Sequence, residues 1–114
     1  MTIDWFRAEC LKFPHATEDV KWEKNLVFSV GDKMFAVCGL ETGDTWASFK
    51  SSPEEFAELV ERPGIRPAPY LARAHWVALE EPDAIPRKEL QQLLRRAYDL
   101  VFAKLPKKHQ AQLN

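Results

Sequence analysis

The strongest constraint in this sequence is a stretch of alternating apolar residues that continues on both sides of a two-residue turn. Leu26, Phe28 and Val30 recur at every second position. Gly31-Asp32 follows, and the segment from Met34 to Leu40 is again apolar. Because every second side chain of a strand points to the same face, the pattern predicts an antiparallel hairpin. Glycine at the first turn position suits a type II′ turn, whose twist matches that of the flanking strands.

A second turn signal extends the hairpin into a meander. Glu41-Thr42-Gly43-Asp44 combines residues that favour turns, and Thr45 to Phe49 has the composition of a further strand. We therefore predict that residues 26–30, 33–40 and 45–49 form a continuous antiparallel meander.

Two helices carry clear boundary signals. The first follows Thr2, which can cap it, and Pro14 stops it. The second has Ser52 as its cap, Pro53 at the first helical position and Glu55 at the third, which completes a capping box. Both boundaries follow from local chemistry alone.

A third helix is predicted from Pro86 to Pro106. Its apolar residues recur at spacings of three and four and form one buried stripe: Leu90, Leu93, Leu94, Ala97, Val101 and Leu105. We expect this stripe, together with Phe56, Leu59 and Trp76, to hold the helices to the sheet. Residues 107–114 are polar and are predicted to be a frayed tail.

These elements define the fold class. Residues 15–25 are predicted to be a polar connector, either with or without a short first strand. Residues 76–79 are predicted to form a strand. The prolines at 67 and 69 favour an edge position for the segment 65–72. The order α-β-β-β-α-β-β-α predicts one α+β domain over residues 1–114. Its antiparallel sheet of about five strands carries helices on one face and leaves the other partly open.

The composition is that of a globular domain. Hydrophobic residues make up 46% of the 114 residues and charged residues 29%, which excludes a disordered chain. The net charge of −1 gives no global attraction to nucleic acid or to a membrane, so any basic site must be local. Cys10 and Cys38 lie among apolar neighbours and are interpreted as reduced core residues. With no signal peptide at the N-terminus, the expected location is the cytoplasm.

The sequence gives little support for catalysis. His15, His75 and His109 are scattered, without the spacing of a metal site. The four glycines form neither a phosphate-binding loop nor a nucleophile elbow. We therefore predict no enzyme, no catalytic residues, no metal and no cofactor.

Four segments resemble the MmcQ/YjbR family, in order and at family-like spacing. They are residues 30–36 (VGDKMFA), 63–71 (PGIRPAPYL), 75–77 (HWV) and 97–101 (AYDLV). The resemblance implies an α+β fold related to frataxin-like and secretion-chaperone-like sheets. It also implies DNA as the partner, since the family is commonly described as DNA-binding through a double-wing shape in which two hairpins flank a helix.

The charge pattern offers residues for such a role. Residues 62–79 contain three arginines and no acid, and residues 87–114 contain seven bases and two acids. The predicted nucleic-acid-binding set combines two of these arginines and two residues near them with the hairpin tip: Lys33, Arg66, Arg73, Tyr70 and His75. Two alternatives remain open. The charges also suit solvated helix faces that follow the helix dipole, and the open sheet face also suits a module that binds a protein or peptide.

Overall fold

The structure is a computed structural model that describes residues 1–21, 24–39, 45–69 and 71–113. Its elements in chain order are α1 (Ile3–Leu11), β1 (Thr17–Lys21), β2 (Asn25–Val30), β3 (Lys33–Gly39), β4 (Ala47–Lys50), α2 (Pro53–Leu59), β5 (Ile65–Pro67), the 3-10 helix η1 (Ala72–Ala74), β6 (Trp76–Leu79), α3 (Arg87–Lys104) and α4 (Lys107–Leu113). The strands form one antiparallel sheet in the order β1-β2-β3-β4-β6-β5. The predicted α+β class is confirmed.

The sheet has six strands within the described residues, one more than the approximate number predicted. The additional strand is β1, which lies in the polar connector where the sequence left the presence of a short strand undecided. It pairs with β2 from Thr17↔Ser29 to Lys21↔Asn25. β1 is an edge strand that is exposed along most of its length, so it lacks the apolar alternation that identifies a strand in a sequence. An ion pair between Glu18 of β1 and Arg7 of α1, at 2.6 Å, ties this edge to the helical layer.

The predicted meander is confirmed where the structure describes it. β2 pairs with β3 and β3 pairs with β4, both antiparallel. Leu40 and the predicted turn over residues 41–44 lie outside the described residues. The short strand β5 is at the edge of the sheet, as its prolines predicted.

The hairpin turn differs in type from the prediction. Val30 pairs with Lys33 across the turn, and φ is 56° at Gly31 and 64° at Asp32. A type II′ turn has positive φ at its first central residue only, whereas type I′ has positive φ at both. The turn is therefore type I′, which Asp32 permits because aspartate tolerates the left-handed region better than most residues.

A β-bulge in β3 determines which of its side chains point to each face of the sheet. Phe28 pairs with Ala36 and Ser29 with Met34, so Phe35 is an extra residue without a partner in β2. The bulge turns both Phe35 and Ala36 toward the helical layer, where both are buried. Met34 and Val37 consequently both point to the opposite face. In a regular strand, two residues three positions apart would point to different faces.

The main core lies between the sheet and the helices. All six residues of the predicted α3 stripe are buried, at 6% exposure or less: Leu90, Leu93, Leu94, Ala97, Val101 and Leu105. Phe13, Phe35 and Tyr98 form an aromatic group with centroid distances of 5.0 to 6.0 Å. The Tyr98 hydroxyl donates to the Pro14 carbonyl at 2.6 Å, which satisfies this polar group at the edge of the core.

A second, smaller cluster covers part of the opposite face. Trp76, at 3% exposure, packs there with Ala68 and Ala78, and Leu71 adds to the cluster. Trp76 is buried as predicted, but the prediction that it holds helices to the sheet is wrong. Val77 and Leu79 occupy the helical face, and strand alternation places Trp76 on the other.

The helix boundaries agree closely with the sequence signals. The Thr2 hydroxyl accepts a hydrogen bond from the Trp5 amide, and Ser52 and Glu55 form the predicted capping box. The predicted frayed tail is instead the helix α4. The side-chain amide of Gln110 donates to the Leu105 carbonyl at 2.8 Å, which satisfies a free acceptor at the end of α3 and fixes the tail.

Leu94→Ala tests the packing of α3. Leu94 is fully buried, so the substitution should lower the free energy of unfolding by about 2–5 kcal/mol. Gln92→Ala, on the exposed side of the same helix, should change it by less than about 0.5 kcal/mol. Urea unfolding of both variants measures the difference, and equal midpoints would contradict the assigned face of the helix.

Gly31→Ala tests the turn. A Cβ at Gly31 would lie 2.7 Å from Leu105 Cδ1, and its φ of 56° is unfavourable for any residue with a side chain. We expect a loss of about 1–2 kcal/mol from the backbone conformation alone. Asp32→Gly, at the neighbouring positive φ, should cause no loss, and thermal unfolding of the two variants compares them directly.

The thiols should be inert in the folded protein. Burial raises the pKa of Cys38 to about 11 and that of Cys10 well above its ordinary value. Since the thiolate is the reactive form, both thiols should label with a disulfide reagent at neutral pH only after denaturation. Rapid stoichiometric labelling in native buffer would contradict the assigned packing.

Candidate nucleic-acid interface

The hairpin turn, the end of β4 and the C-terminus of α3 meet at one end of the sheet. Lys33 is the first residue of β3 and Lys104 the last of α3, and both are exposed. They line a shared hollow of about 300 Å³ whose other walls are Met34, Trp76 and Val101. The type I′ turn and the packing of α3 therefore place two cations on one hollow.

Lys50 adds a third cation to this end. It is half-buried at the end of β4, opposite Trp76, and its Nζ donates to the Ala74 carbonyl at 2.8 Å. The pKa of Lys50 lies below its ordinary value, mainly because of burial and secondly because of the charge of Lys104. A cation that lowers the pKa of another must lie near it, so the two ammonium groups share one region of positive potential.

Two further segments bring bases to the same end. Arg73 is exposed in η1, next to the residue that accepts the hydrogen bond from Lys50. α4 packs against the hairpin turn, since a Cβ at Gly31 would lie 3.1 Å from the His109 ring. α4 also carries Lys107 and Lys108, both exposed. We call the group Lys33, Lys50, Arg73 and Lys104 the basic end.

The cations of the basic end differ in their partners from the arginines that join elements of the fold. Within the described ranges, none of the four forms an ion pair with an acid. By contrast, Arg62 pairs with Glu58 at 2.7 Å and with Glu89 at 2.8 Å, which joins α2 to α3. Hydrogen bonds from Arg62 lower the pKa of Glu89. Asp32, in the hairpin turn, is an acid close to Lys33 in the chain.

Of the predicted site residues, the structure brings Lys33 and Arg73 to the basic end and leaves Arg66 apart from them. Arg66 is half-buried on β5, where its Nη2 donates to Thr45 Oγ1 at 2.7 Å. Its Nε lies 3.8 Å from Glu80 Oε1. These partners lie at the start of β4 and just after the end of β6, away from the hairpin tip. Tyr70 lies outside the described residues.

His75 makes contacts that stabilise the fold. Its φ is 62°, its ring meets the Phe56 ring edge-on at 5.5 Å, and its carbonyl accepts hydrogen bonds from the Ser51 amide and hydroxyl at 2.9 and 2.6 Å. His75 thereby links the start of β6 to the segment that enters α2. The neighbouring Trp76 is buried, so its ring offers no free face to a nucleic-acid base.

Sequence reasoning missed Lys50 and Lys104. The excess of bases after residue 87 was a signal for Lys104, but the direction of α3 across the sheet decides that its last residue lies beside β4. Lys50 carries no local signal, because one lysine at the end of a strand is ordinary. Only the pairing of β4 with β6 and the position of η1 bring Lys50 to this site.

A groove on the opposite face of the sheet borders the basic end. It encloses about 570 Å³ between the sheet and the segment that follows β5, and Met34 forms a wall of both this groove and the lysine hollow. Most of its lining is apolar or small: Asn25, Met34, Val37, Thr45, Ser48, Ala68, Pro69 and Leu71. We call this feature the sheet groove.

In the part of the chain that the structure describes, no group of three or more His, Cys, Asp or Glu side chains is placed to hold a metal ion. Over the same residues, no helix is both long and apolar enough to cross a bilayer.

Comparisons with known proteins agree with this architecture. A solved structure of the Deinococcus radiodurans protein DR2400, whose domain is described as DUF419, superposes with a TM-score of 0.86 at 33% identity, covering 98% of this chain and 87% of that one. A protein from Pseudomonas syringae superposes with a TM-score of 0.68 at 25% identity, covering 89% and 99%. No curated protein matches the chain. The family model YjbR matches residues 11–100. Because that match spans most of the sequence, the chain belongs to the YjbR family.

Proposed function

We propose that this protein is a non-enzymatic domain that binds DNA through phosphate contacts made by the basic end. The observation that carries the proposal is that Lys33, Lys50 and Lys104 share one end of the sheet, next to the segment that holds the exposed Arg73. No acid among the described residues pairs with any of the four. Like charges repel, and the charge of Lys104 contributes to the lowered pKa of Lys50. An anionic ligand would relieve that repulsion.

The chemistry of the basic end favours the DNA backbone over the bases. Lys33, Lys50 and Lys104 carry point charges on flexible stems, which suit phosphate oxygens but do not discriminate base edges. The hairpin of β2 and β3 carries Lys33 at its tip, as a wing of the double-wing shape would. With a net charge of −1, long-range attraction is small, so binding should be weak and tolerant of sequence.

A module that binds a protein or peptide on the open sheet face is the alternative. The observation in its favour is the sheet groove, an accessible part of that face beside Ala68 and Leu71. For either role we propose the cytoplasm as the location, since two buried free thiols suit a reducing compartment. The two roles differ in salt dependence, because counterion release drives phosphate binding and not apolar contact.

The test compares the wild type with the double variant Lys33→Ala/Lys104→Ala. Each phosphate contact contributes about 0.9 to the slope of log affinity against log salt. The double variant should therefore bind mixed-sequence duplex DNA more weakly and with a slope smaller by about two. Fluorescence anisotropy with a labelled duplex, over a series of salt concentrations, measures both quantities.

Two variants serve as controls. Lys21→Ala/Lys88→Ala removes the same charge from exposed residues of β1 and α3 outside the basic end, and should leave the slope nearly unchanged. Arg66→Ala should also leave it unchanged, because Arg66 is engaged with Thr45 and Glu80. The proposal fails if the wild type does not bind at low salt, or if Lys33→Ala/Lys104→Ala and Lys21→Ala/Lys88→Ala lose affinity equally.

A further inference from the structure

The sheet groove has the size and lining of a ligand site. Its volume of about 570 Å³ lies within the range of about 300–1,000 Å³ that is usual for small-molecule pockets. The side chains of Met34, Val37 and Leu71 supply aliphatic walls, while Asn25 and Ser48 supply small polar groups. Among the described residues that line the groove there is no aromatic ring, and such a lining suits an aliphatic body.

The groove is elongated along β3. Asn25 pairs with Gly39 near one end, and Met34 lies five residues back along the strand at the other. At about 3.3 Å per residue this distance is about 15 Å. Ala68, Pro69 and Leu71 form the wall of the groove that rises from the sheet. The space therefore fits a single extended chain.

The cations that border the two ends of the groove differ in their partners. At the Met34 end it borders the hollow of Lys33 and Lys104, which have no acid partner among the described residues. At the other end, Thr45 accepts a hydrogen bond from Arg66, whose charge also faces Glu80. Charge complementarity therefore places an anionic group at the Met34 end.

We propose that the sheet groove binds a free single-chain amphipathic carboxylate. Its alkyl chain lies on Met34, Val37 and Leu71, and its carboxylate meets the ammonium groups of Lys33 and Lys104. This inference goes beyond DNA binding, because the groove takes no part in phosphate contacts. The two ligands share the lysines, so they should compete.

Titration calorimetry with decanoate below its micelle concentration tests the proposal. We expect saturable binding of one decanoate per chain. A change in tryptophan fluorescence should accompany it, because Trp76 belongs to the cluster against which Met34 and Leu71 pack. Decyltrimethylammonium, with the same chain and the opposite charge, should bind at least tenfold more weakly. Absence of saturable decanoate binding, or equal binding of the two amphiphiles, overturns the proposal. The proposal is also overturned if the protein binds acidic apolar peptides but does not bind decanoate.

Substitutions separate this site from the DNA site. Ser48→Phe should fill the groove and weaken decanoate binding at least tenfold, while the affinity for DNA and its salt slope stay unchanged. Lys33→Ala/Lys104→Ala should weaken the binding of both decanoate and DNA. Leu71→Ser, which makes a wall polar, is the second groove variant if Ser48→Phe does not fold, as judged by circular dichroism. A folded groove variant that binds decanoate like the wild type overturns the proposal, whatever the result with DNA.

Discussion

The packing of α3 against the sheet is the interaction on which the rest of the structure depends. One apolar stripe of this helix covers the helical face, and its residues Leu90, Leu94 and Ala97 are fully buried. Without that contact the inner faces of β3 and β4, and part of that of β2, would remain in water. The same packing fixes where the helix ends. The position of Lys104 beside the hairpin and the site against which α4 docks are therefore consequences of core packing.

The β-bulge at Phe35 affects the packing of side chains on both faces of the sheet. By adding one residue to β3 it gives the core two neighbouring side chains, Phe35 and Ala36. It also aligns Met34 and Val37 on the opposite face, where they line the sheet groove. A regular strand would send one of these two side chains into the helical layer. The groove and the aromatic part of the core thus arise from the same irregularity.

The charges of the molecule are divided by role. Arg7, Arg62 and Arg96 pair with acids of other elements and help to hold helices and strands in position. Such partly exposed pairs contribute little energy each, but they also occupy these cations. The basic end carries cations that no acid of the described residues neutralises. An almost neutral chain can in this way present a local site for an anion.

The sequence by itself determined the features that depend on neighbours in the chain. The caps of α1 and α2, the hairpin, the edge position of β5 and the stripe of α3 all follow from residues a few positions apart. Lys33 and Arg73 were also identified for the candidate site. Only the tertiary structure decided the pairing of β1, the face occupied by Trp76, the helical tail and the approach of Lys50 to Lys104. The physical reason is that these features join segments far apart in the chain, whose meeting is set by register and helix packing.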